Sequence, residues 1–236
     1  MTPDAGTHAR PTALVTGASR GIGRSIARRL SADHDIIAVA RSEQELDSLA
    51  EEIAEQGGSC HSLVLDLRDP VAIADALEGV DCDVLVNNAG IGWLKPFLET
   101  TAEEWHAMVD VNFNALYHVT RALLPGMMER ERGDIVVIGS LAGRNTFAGG
   151  SCYSATKHAV IGFAESLMME VREKGVRVSV VMPGSVATDF GGHPGDPEWM
   201  LLGEHVAEAV HHVISAPRQA HLSRIEMRPS MPKKRR

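Results

Sequence analysis

The chain has 236 residues, of which 44% are hydrophobic and 23% are charged, a globular composition that excludes a wholly disordered chain. The net charge of −8 argues against a general nucleic-acid binder, whose affinity comes from neutralising phosphates. Three cysteines without paired spacing, and no stretch of roughly 18 apolar residues, predict a cytoplasmic protein with neither a disulfide framework nor a membrane span.

Short β-branched segments alternate along the chain with longer amphipathic segments, which is typical of βαβ units. The predicted strands are mostly apolar on both faces, as buried parallel strands are: Ala13–Thr16, Ile36–Ala40, Ser62–Leu65, Val84–Val86, Asp134–Gly139 and Val176–Met182, with a last strand inside His221–Pro229. The predicted helices are Gly21–Leu30, Glu43–Glu55, Pro70–Leu77, Ala102–Arg130, Ser154–Lys174 and about Gly203–Ser215. We therefore predict an α/β fold with one doubly wound parallel sheet and helices on both faces.

No composition break divides the chain, so we expect one domain over residues 11–228, preceded by a flexible segment (1–10) and followed by a basic, solvated tail (229–236). Clustered glycines and prolines predict a mobile loop at about 184–202, beyond the end of a strand, where open α/β sheets bind ligands. Within the long fourth helix, Pro125 and Gly126 are expected to cause a kink or an early end.

The turn after the first predicted strand leads directly into a helix and reads Thr16-Gly17-Ala18-Ser19-Arg20-Gly21-Ile22-Gly23. Glycine lets the backbone turn tightly and approach a phosphate, while the helix N-terminus supplies N–H groups and the positive end of its dipole. In the first βαβ unit of the chain, this turn predicts a site for the phosphates of a dinucleotide.

The second predicted strand ends at Ala40 and is followed by Arg41, at the position where a carboxylate would bind the ribose 2′-hydroxyl of NAD(H). Arg41, together with Arg20 of the first turn, can instead bind the 2′-phosphate of NADP(H) by charge-assisted hydrogen bonds. The alternative is that both arginines are solvated surface residues. The first interpretation predicts that NADPH is preferred to NADH.

Tyr153 and Lys157 are four residues apart, a spacing that brings both side chains onto one face of a helix. A tyrosine with a pKa of about 10 is a poor acid–base group at neutral pH, and a neighbouring ammonium is expected to lower that pKa. Alone, such a pair is more often a surface contact than a functional site.

Several motifs follow one another in the order known from one enzyme family: the turn Thr16–Gly23, Asn87-Asn88-Ala89-Gly90, Ser140, Tyr153-x-x-x-Lys157 and Pro183-Gly184. Together they closely resemble the short-chain dehydrogenase/reductase family over about residues 11–228. The resemblance implies a Rossmann-type fold and an NADP(H)-dependent oxidoreductase, in which the nicotinamide carries the hydride and the protein supplies the proton.

The resemblance also implies a role for each matching residue. Tyr153 is the proton donor, Lys157 lowers its pKa and holds the nicotinamide ribose, Ser140 binds the substrate oxygen, and Asn112 holds a water of the proton relay. The residues expected to bind the cofactor are Gly17, Ser19, Arg20, Gly21, Ile22, Gly23, Arg41, Asp66, Leu67, Asn88, Ala89, Gly90, Tyr153, Lys157, Pro183, Gly184, Val186 and Thr188. No metal site is predicted, because Glu208 and His212 on the last helix lack a third ligand.

The predicted activity is the reversible reduction of a small-molecule ketone or aldehyde to an alcohol with NADPH. One alternative is a 3-oxoacyl-thioester reductase, although the chain end Ser223–Arg228 differs from the glycine-rich ending of many such enzymes. An alternative of another class is an NADP(H)-sensing protein that has lost activity, although such proteins usually lack part of the catalytic set, which is complete here.

The substrate pocket is expected to be lined by the loop and by Trp93, Leu141, Arg144, Phe147 and Met182. Arg144 is equally interpretable as selecting an anionic group or as a surface or subunit contact. The two long predicted helices have apolar residues on more than one side, which indicates a further partner: Phe113, Leu116, Leu123, Ile161, Phe163, Leu167 and Met168. The family resemblance implies that this partner is a second subunit, in a homodimer or homotetramer.

Overall fold

The computed structural model describes residues 10–192 and 195–231. Their strands are β1 Thr12–Thr16, β2 Asp35–Ala40, β3 Cys60–Val64, β4 Val84–Asn87, β5 Gly133–Ile138, β6 Val176–Pro183 and β7 Arg224–Met227. Their α-helices are α1 Gly21–Leu30, α2 Glu43–Glu55, α3 Pro70–Leu77, α4 Ala102–Val109, α5 Ala115–Glu129, α6 Ser151–Val171 and α7 Gly203–Ser215. The expected N-terminal segment, except Arg10, and the last five residues of the basic tail lie outside the described residues.

The strands form one parallel sheet in the order β3-β2-β1-β4-β5-β6-β7. Helices α1, α2 and α7 bury apolar residues such as Ile26 and Val210 on one face, and α3, α5 and α6 bury residues such as Ile73 and Leu123 on the other. The predicted α/β class, with a doubly wound sheet of Rossmann type, is confirmed. None of the helices in the described ranges has the length and apolarity needed to cross a bilayer.

Strand β3 is the clearest departure from the predicted strands. It begins two residues earlier than predicted and lies at the edge of the sheet, so its burial is partial and Val64 is 49% exposed. The prediction of a strand buried on both faces was therefore wrong here, because among the described residues β3 pairs with β2 alone and its outer edge has no neighbouring strand.

The predicted fourth helix is two helices joined by a π-helical turn, Asp110–Asn114. Pro125 and Gly126 do not end the second of these helices, which continues to Glu129. Because Pro125 and Arg121 are exposed, water can satisfy the carbonyl group that the proline leaves without a partner. The helix is interrupted instead at Asn112, whose side chain is buried.

The apolar surface that the long helices leave uncovered is smaller than the sequence predicts. Four of the seven residues are at most 8% exposed because they pack into the core of the single chain: Leu116, Leu123, Ile161 and Leu167. Phe113, Phe163 and Met168 are only partly buried, and Tyr117 and Met169 are exposed beside them. A smaller apolar surface therefore lies along α5 and α6.

The chain reverses its winding direction between β1 and the neighbouring β4. In open α/β sheets, this switch point leaves a crevice at the carboxyl ends of the strands, where ligands bind. The glycine-rich turn follows β1 and Asn88 follows β4, so both lie at this crevice. Helix α6, which holds Tyr153 and Lys157, begins three residues earlier than predicted.

Candidate active site

The glycine-rich turn after β1 is tied to the segment that follows β4. The amide of Asn88 donates hydrogen bonds to the carbonyl groups of Thr16 (2.9 Å) and Gly17 (3.2 Å), and the backbone N–H groups of Asn88 and Ala89 donate to the Thr16 hydroxyl. Gly17 has a left-handed backbone (φ 66°), and a Cβ atom on Gly23 would lie 2.2 Å from the Gly17 carbonyl oxygen. The turn therefore requires glycine at both positions.

The other predicted residues of this turn differ in how far their side chains are exposed to a ligand. Arg20 and Gly21 are exposed and Ser19 is half-buried, whereas the side chain of Ile22 packs against the core. A Cβ atom on Gly21 would contact the methyl group of Thr188 at 3.4 Å, so the late loop lies directly against the start of α1. Backbone N–H groups at this helix N-terminus suit a phosphate.

Arg41 and Arg20 are exposed and, within the described residues, neither has a carboxylate within ion-pair distance. Most other arginines of the described chain are paired; Arg24, for example, lies 2.9 Å from Glu52. Two unneutralised cations beside a glycine-rich turn make a favourable site for a dianion such as a ribose phosphate.

Asp66 lies after β3, close enough to Arg41 for the arginine to lower its pKa. The larger cause is Arg68, whose side chain donates to both carboxylate oxygens, and together they hold the pKa of Asp66 at about 2. The next predicted contact, Leu67, is only 8% exposed and its side chain packs into the core. A contact of Leu67 with a cofactor would therefore be made mainly through its backbone groups.

Tyr153, Ser140 and Lys157 come together at the carboxyl edge of β5. Lys157 is 5% exposed, donates a hydrogen bond to the carbonyl group of Ile138 (2.9 Å), and has its Nζ 5.8 Å from the centre of the Tyr153 ring. The Ser140 hydroxyl accepts from the backbone N–H of Ala142 (3.1 Å), which fixes its direction. Ser140, predicted at the end of a strand, thus lies beside the Tyr153–Lys157 pair predicted on the following helix.

The pKa values of this group differ from those expected from the sequence. Burial raises the pKa of Tyr153, while a hydrogen bond with Ser140 opposes the rise. The expected lowering by Lys157 is not found, because desolvation of the phenolate outweighs an ammonium that lies 5.8 Å from the ring centre. Burial also lowers the pKa of Lys157 to about 8.

Asn112 ties the π turn to both sides of the site. Its amide donates to the carbonyl group of Ile91 (2.9 Å) and to the hydroxyl of Thr156 (3.1 Å), and its oxygen accepts from the N–H of Ile91 (2.8 Å). Thr156 in turn donates to the Tyr153 carbonyl group (2.8 Å). Thr156 was missed from the sequence, although its position three residues after Tyr153 places it one helical turn away.

A cavity of about 10 Å³ lies behind Lys157 and is lined by the polar residues Thr16, Asn87 and Asn112 as well as by apolar residues. This volume is about what one water molecule requires, and the polar lining supplies hydrogen-bond partners for it. A proton relay through Lys157 is therefore sterically possible at this position.

The late loop closes over the site from the end of β6. Pro183 is buried, and a Cβ atom on Gly184 would lie 3.1 Å from the Leu141 side chain. Val186 pairs with Leu201 and so joins the two ends of the loop. Beyond Thr188, the ring of Phe190 lies on the Tyr153 ring, with 5.3 Å between their centres. His193 and Pro194 of the predicted loop lie outside the described residues.

The expected substrate pocket is only partly observed. Met182 lies in β6 and its side chain is fully buried in the core, so its expected place in the pocket was wrong. Trp93 and Phe147 are exposed. Arg144 forms an ion pair with Glu226 at 2.8 Å, which joins the segment after Ser140 to the last strand.

On the last helix, Glu208, which was weighed as a metal ligand, forms an ion pair with Arg29.

Comparison with known families finds a match to the short chain dehydrogenase family over residues 11–198. Among curated proteins, the chain is 38% identical to the NADP-dependent 3-hydroxy acid dehydrogenase YdfG of Salmonella typhi, over 92% of this chain and 94% of that enzyme. It is 37% identical to the protein of the same name from Escherichia coli, with the same coverage.

Among solved structures, the chain is also similar to oxidoreductases that bind NADP. A metagenomic short-chain oxidoreductase in complex with NADP is 37% identical, with a TM-score of 0.84 over 94% of this chain and 98% of that one. A serine dehydrogenase complexed with NADP⁺ is 36% identical, with a TM-score of 0.85 over 92% and 94%. An alcohol dehydrogenase from Thermococcus sibiricus complexed with 5-hydroxy-NADP is 30% identical, with a TM-score of 0.88 over 96% and 99%.

Proposed function

The chain belongs to the short-chain dehydrogenase family and is an NADP-dependent oxidoreductase, and from this premise we propose that it reversibly reduces a ketone or aldehyde with Tyr153 as the proton donor. The observation that carries the proposal is the meeting of the Tyr153 phenol, the Ser140 hydroxyl and the buried Lys157 ammonium at one edge of the sheet. These are the groups that a carbonyl reduction requires once a hydride source is bound.

The residues at the crevice fit NADP(H). Arg20 and Arg41 would bind the 2′-phosphate, and the N-terminus of α1 with Gly17 and Gly23 would hold the pyrophosphate. Lys157 would hold the nicotinamide ribose; a Cβ atom on Gly90 would lie 3.7 Å from its Nζ, so glycine there leaves room beside the ammonium. When bound, the nicotinamide supplies or accepts the hydride.

In the proposed mechanism, the chain supplies the proton and the electrostatics. Ser140 donates a hydrogen bond to the substrate oxygen, and Tyr153 protonates that oxygen as negative charge develops on it. Its raised pKa keeps the phenol protonated at neutral pH, which is the state that a proton donor needs. Lys157, charged at neutral pH, stabilises the phenolate that remains.

The class of substrate distinguishes a carbonyl reductase from the two alternatives, a 3-oxoacyl-thioester reductase and an NADP(H) sensor. The named relatives act on 3-hydroxy acids or on serine, which supports a small hydroxy or oxo compound over a long thioester. Reduction rates for a simple ketone, a 3-oxo acid and a 3-oxoacyl thioester with the same acyl chain would rank the candidates by kcat/KM. Preference for the thioester would favour the acyl-thioester reductase, and binding of NADPH without reduction of any compound would favour the sensor.

Reduction is expected to slow as the pH rises through about 8, because the Lys157 ammonium loses its proton there. The Tyr153 phenol does not set this limit, since burial raises its pKa above the ordinary value. The measurement is kcat/KM for NADPH-dependent reduction from pH 6 to about 10, a range that spans the pKa of Lys157.

Unfolding at high pH could also lower the reduction rate. The effect of Lys157 on stability has the opposite sign, which separates unfolding from deprotonation of this residue. The folded protein binds a proton at Lys157 more weakly than the unfolded chain does, so this residue makes the protein more stable as the pH rises from about 8. Melting temperatures at each pH provide the control. A rate that stays constant up to pH 10 in a folded protein would remove Lys157 from the mechanism.

We also propose that the enzyme is a homodimer or homotetramer joined through α5 and α6. Phe163 and Phe113 pack edge to face with 6.4 Å between ring centres and are only partly buried, and Tyr117 is 43% exposed on the same side. Replacing Tyr117 or Phe163 with arginine should lower the mass measured by light scattering toward one subunit, because a buried unpaired charge opposes association.

Activity should fall with dissociation, since Tyr153 and Lys157 lie on α6 with Phe163. Glu55→Arg on α2 is the matched control, because it adds positive charge on the opposite face of the sheet. A wild-type protein that scatters as a single ~25 kDa species at micromolar concentration would overturn the assembly proposal.

A further inference from the structure

Four large apolar side chains are exposed where the late loop meets the segment after β4 and the start of α6. Each is between 38% and 44% exposed, and together we call them the apolar rim: Trp93, Leu94, Phe147 and Phe190. The ring of Phe147 packs on Gly150, where a Cβ atom would lie 2.5 Å from it, directly before α6 begins. Apolar side chains left exposed together are typical of a surface that binds a ligand.

Contacts place the apolar rim beside the proposed proton donor. A Cβ atom on Gly92 would lie 2.6 Å from the ring of Phe190 and 3.4 Å from the ring of Tyr153, so the segment after β4 lies against both rings. A Cβ atom on Gly191 would lie 4.0 Å from the Cγ atom of Leu94, so the same segment also contacts the late loop. A substrate whose carbonyl oxygen reaches Tyr153 therefore has its substituents next to this rim.

A cation that directly follows the rim residues, Lys95, is already neutralised. Its Nζ lies 2.7 Å and 2.6 Å from the two carboxylate oxygens of Glu104, and this contact lowers the pKa of Glu104. The next residue, Trp105, has its carbonyl oxygen 3.8 Å from the Sγ atom of Cys152, which precedes Tyr153. The ion pair therefore lies close to the start of α6, with its positive charge held by a carboxylate of this chain.

A second cation is neutralised near the other end of the site. Arg144 ends the tight turn that begins at Ser140, and its guanidinium lies 2.8 Å from the carboxylate of Glu226. The residue after Glu226, Met227, accepts a hydrogen bond from the N–H of Gly184, where the late loop begins (2.8 Å). This ion pair therefore lies between the turn that holds Ser140 and the base of the loop.

These contacts determine which charge a substrate can carry. A carboxylate that enters an apolar site loses its hydration, and only an available cation or several donors can compensate for that loss. Lys95 and Arg144 each hold a carboxylate already, so an anionic substrate would add a further negative charge beside Glu104 or Glu226. A neutral carbonyl compound with an apolar substituent incurs no such cost and can pack against the rim.

We propose that the enzyme selects neutral carbonyl compounds: the apolar rim binds an uncharged substituent next to the reacting carbonyl group, and Glu104 and Glu226 disfavour anionic substrates by occupying Lys95 and Arg144. The inference rests on the proposed function and specifies its substrate class. It separates this chain from the relatives named for 3-hydroxy acids and for serine, compounds that carry a carboxylate.

The test compares oxo compounds that differ in charge but share a carbon skeleton. One set is acetoacetate, acetoacetamide and methyl acetoacetate, and a second set is built in the same way on benzoylacetate. The amide has the size of the acid without its charge, and the ester is neutral and more apolar. With saturating NADPH, kcat/KM for the amide should exceed that for the acid about tenfold or more, because the acid loses hydration without gaining a free cation. The ester should exceed the amide.

Matched variants assign the selection to the ion pair. Glu104→Gln keeps a residue that can complete the capping box with Thr101, but it leaves the charge of Lys95 uncompensated. The ratio of kcat/KM for acid to amide should rise about threefold to tenfold, as expected for one added charge interaction. Adding Lys95→Met to Glu104→Gln should remove this gain. The intrinsic reactivity of each compound cancels when the ratio is compared between proteins, and melting temperatures confirm that the variants fold.

A further pair of variants tests the apolar rim. Leu94→Gln should lower the ratio of kcat/KM for ester to amide, because a polar side chain replaces an apolar contact beside the late loop. Leu98→Gln is the matched control, since Leu98 is 94% exposed and should leave that ratio unchanged.

The inference is overturned if the wild type reduces the acid as well as the amide or better, or if Glu104→Gln leaves the acid-to-amide ratio unchanged or lowers it. An unchanged ester-to-amide ratio in Leu94→Gln would remove the rim from the selection and overturn that part of it. Failure of the proposed function gives a different result, since no compound of either set, neutral or anionic, would then be reduced by a protein that binds NADPH.

Discussion

Replacing Tyr153 with phenylalanine should lower kcat by about 10²- to 10⁴-fold and leave the dissociation constant of NADPH nearly unchanged. The variant loses the phenol that hydrogen-bonds with Ser140 and can give a proton to the substrate oxygen, while the ring that packs on Phe190 remains. Stopped-flow reduction with saturating NADPH, combined with a fluorescence titration of the cofactor, measures both quantities.

The chain offers a matched control, because its second tyrosine, Tyr117, is exposed on α5. Tyr117→Phe removes the same oxygen atom from an exposed ring on another helix, keeps the apolar surface of that ring, and should keep full activity. A Tyr153→Phe protein that retains most of the wild-type kcat, with a normal melting temperature, would show that the phenol is not the proton donor.

Replacing Arg41 with aspartate should reduce the preference for NADPH over NADH by about 100-fold or more. The change removes charge-assisted hydrogen bonds worth about 1.5–3 kcal/mol and adds repulsion between the new carboxylate and the 2′-phosphate. Arg41 is exposed and has no ion pair to lose within the described residues, so the substitution should leave stability almost unchanged. The measurement is the ratio of kcat/KM for the two cofactors with one substrate.

Arg132→Asp provides the control for net charge. Arg132 is exposed just before β5 begins, at the amino edge of the sheet and away from the crevice, so the same change in charge should leave the cofactor ratio as it is. Equal effects of the two substitutions would indicate a general electrostatic effect. A wild-type enzyme that uses NADH better than NADPH would contradict the role assigned to both Arg20 and Arg41.

Most of the fold could be predicted because alternation of apolar strands and amphipathic helices encodes the layers directly. The bounds of α1, α2, α3 and α7 agree with the sequence pattern. The errors arose where tertiary context decides. Val64 is apolar yet exposed because β3 is an edge strand, and the helix breaks at Asn112 rather than at Pro125 because its buried amide bonds to Ile91 and Thr156.

In the candidate site, too, the sequence predicted the motif residues but not the properties that depend on the folded environment. Residues in family motifs, such as Ser140, Tyr153 and Lys157, are neighbours in the structure as expected. The direction of the Tyr153 pKa could not be predicted, because the pair spacing shows the ammonium but not the desolvation that outweighs it. The pairing of Arg68 with Asp66 was missed because an ion pair between loop residues has no periodic signal, and Met182 was misplaced because a strand pattern does not say which face is core.

In the proposed function, the chain transfers a hydride between NADP(H) and a carbonyl carbon while Tyr153 supplies the proton. The most direct test uses NADPH labelled with deuterium at the transferred position of the nicotinamide, together with a panel of ketones and 3-oxo acids. NADPH should be consumed in equal amount to the alcohol formed, with the deuterium on the carbinol carbon of the product. Consumption of NADPH without labelled alcohol, or no consumption with any member of the panel, would contradict it.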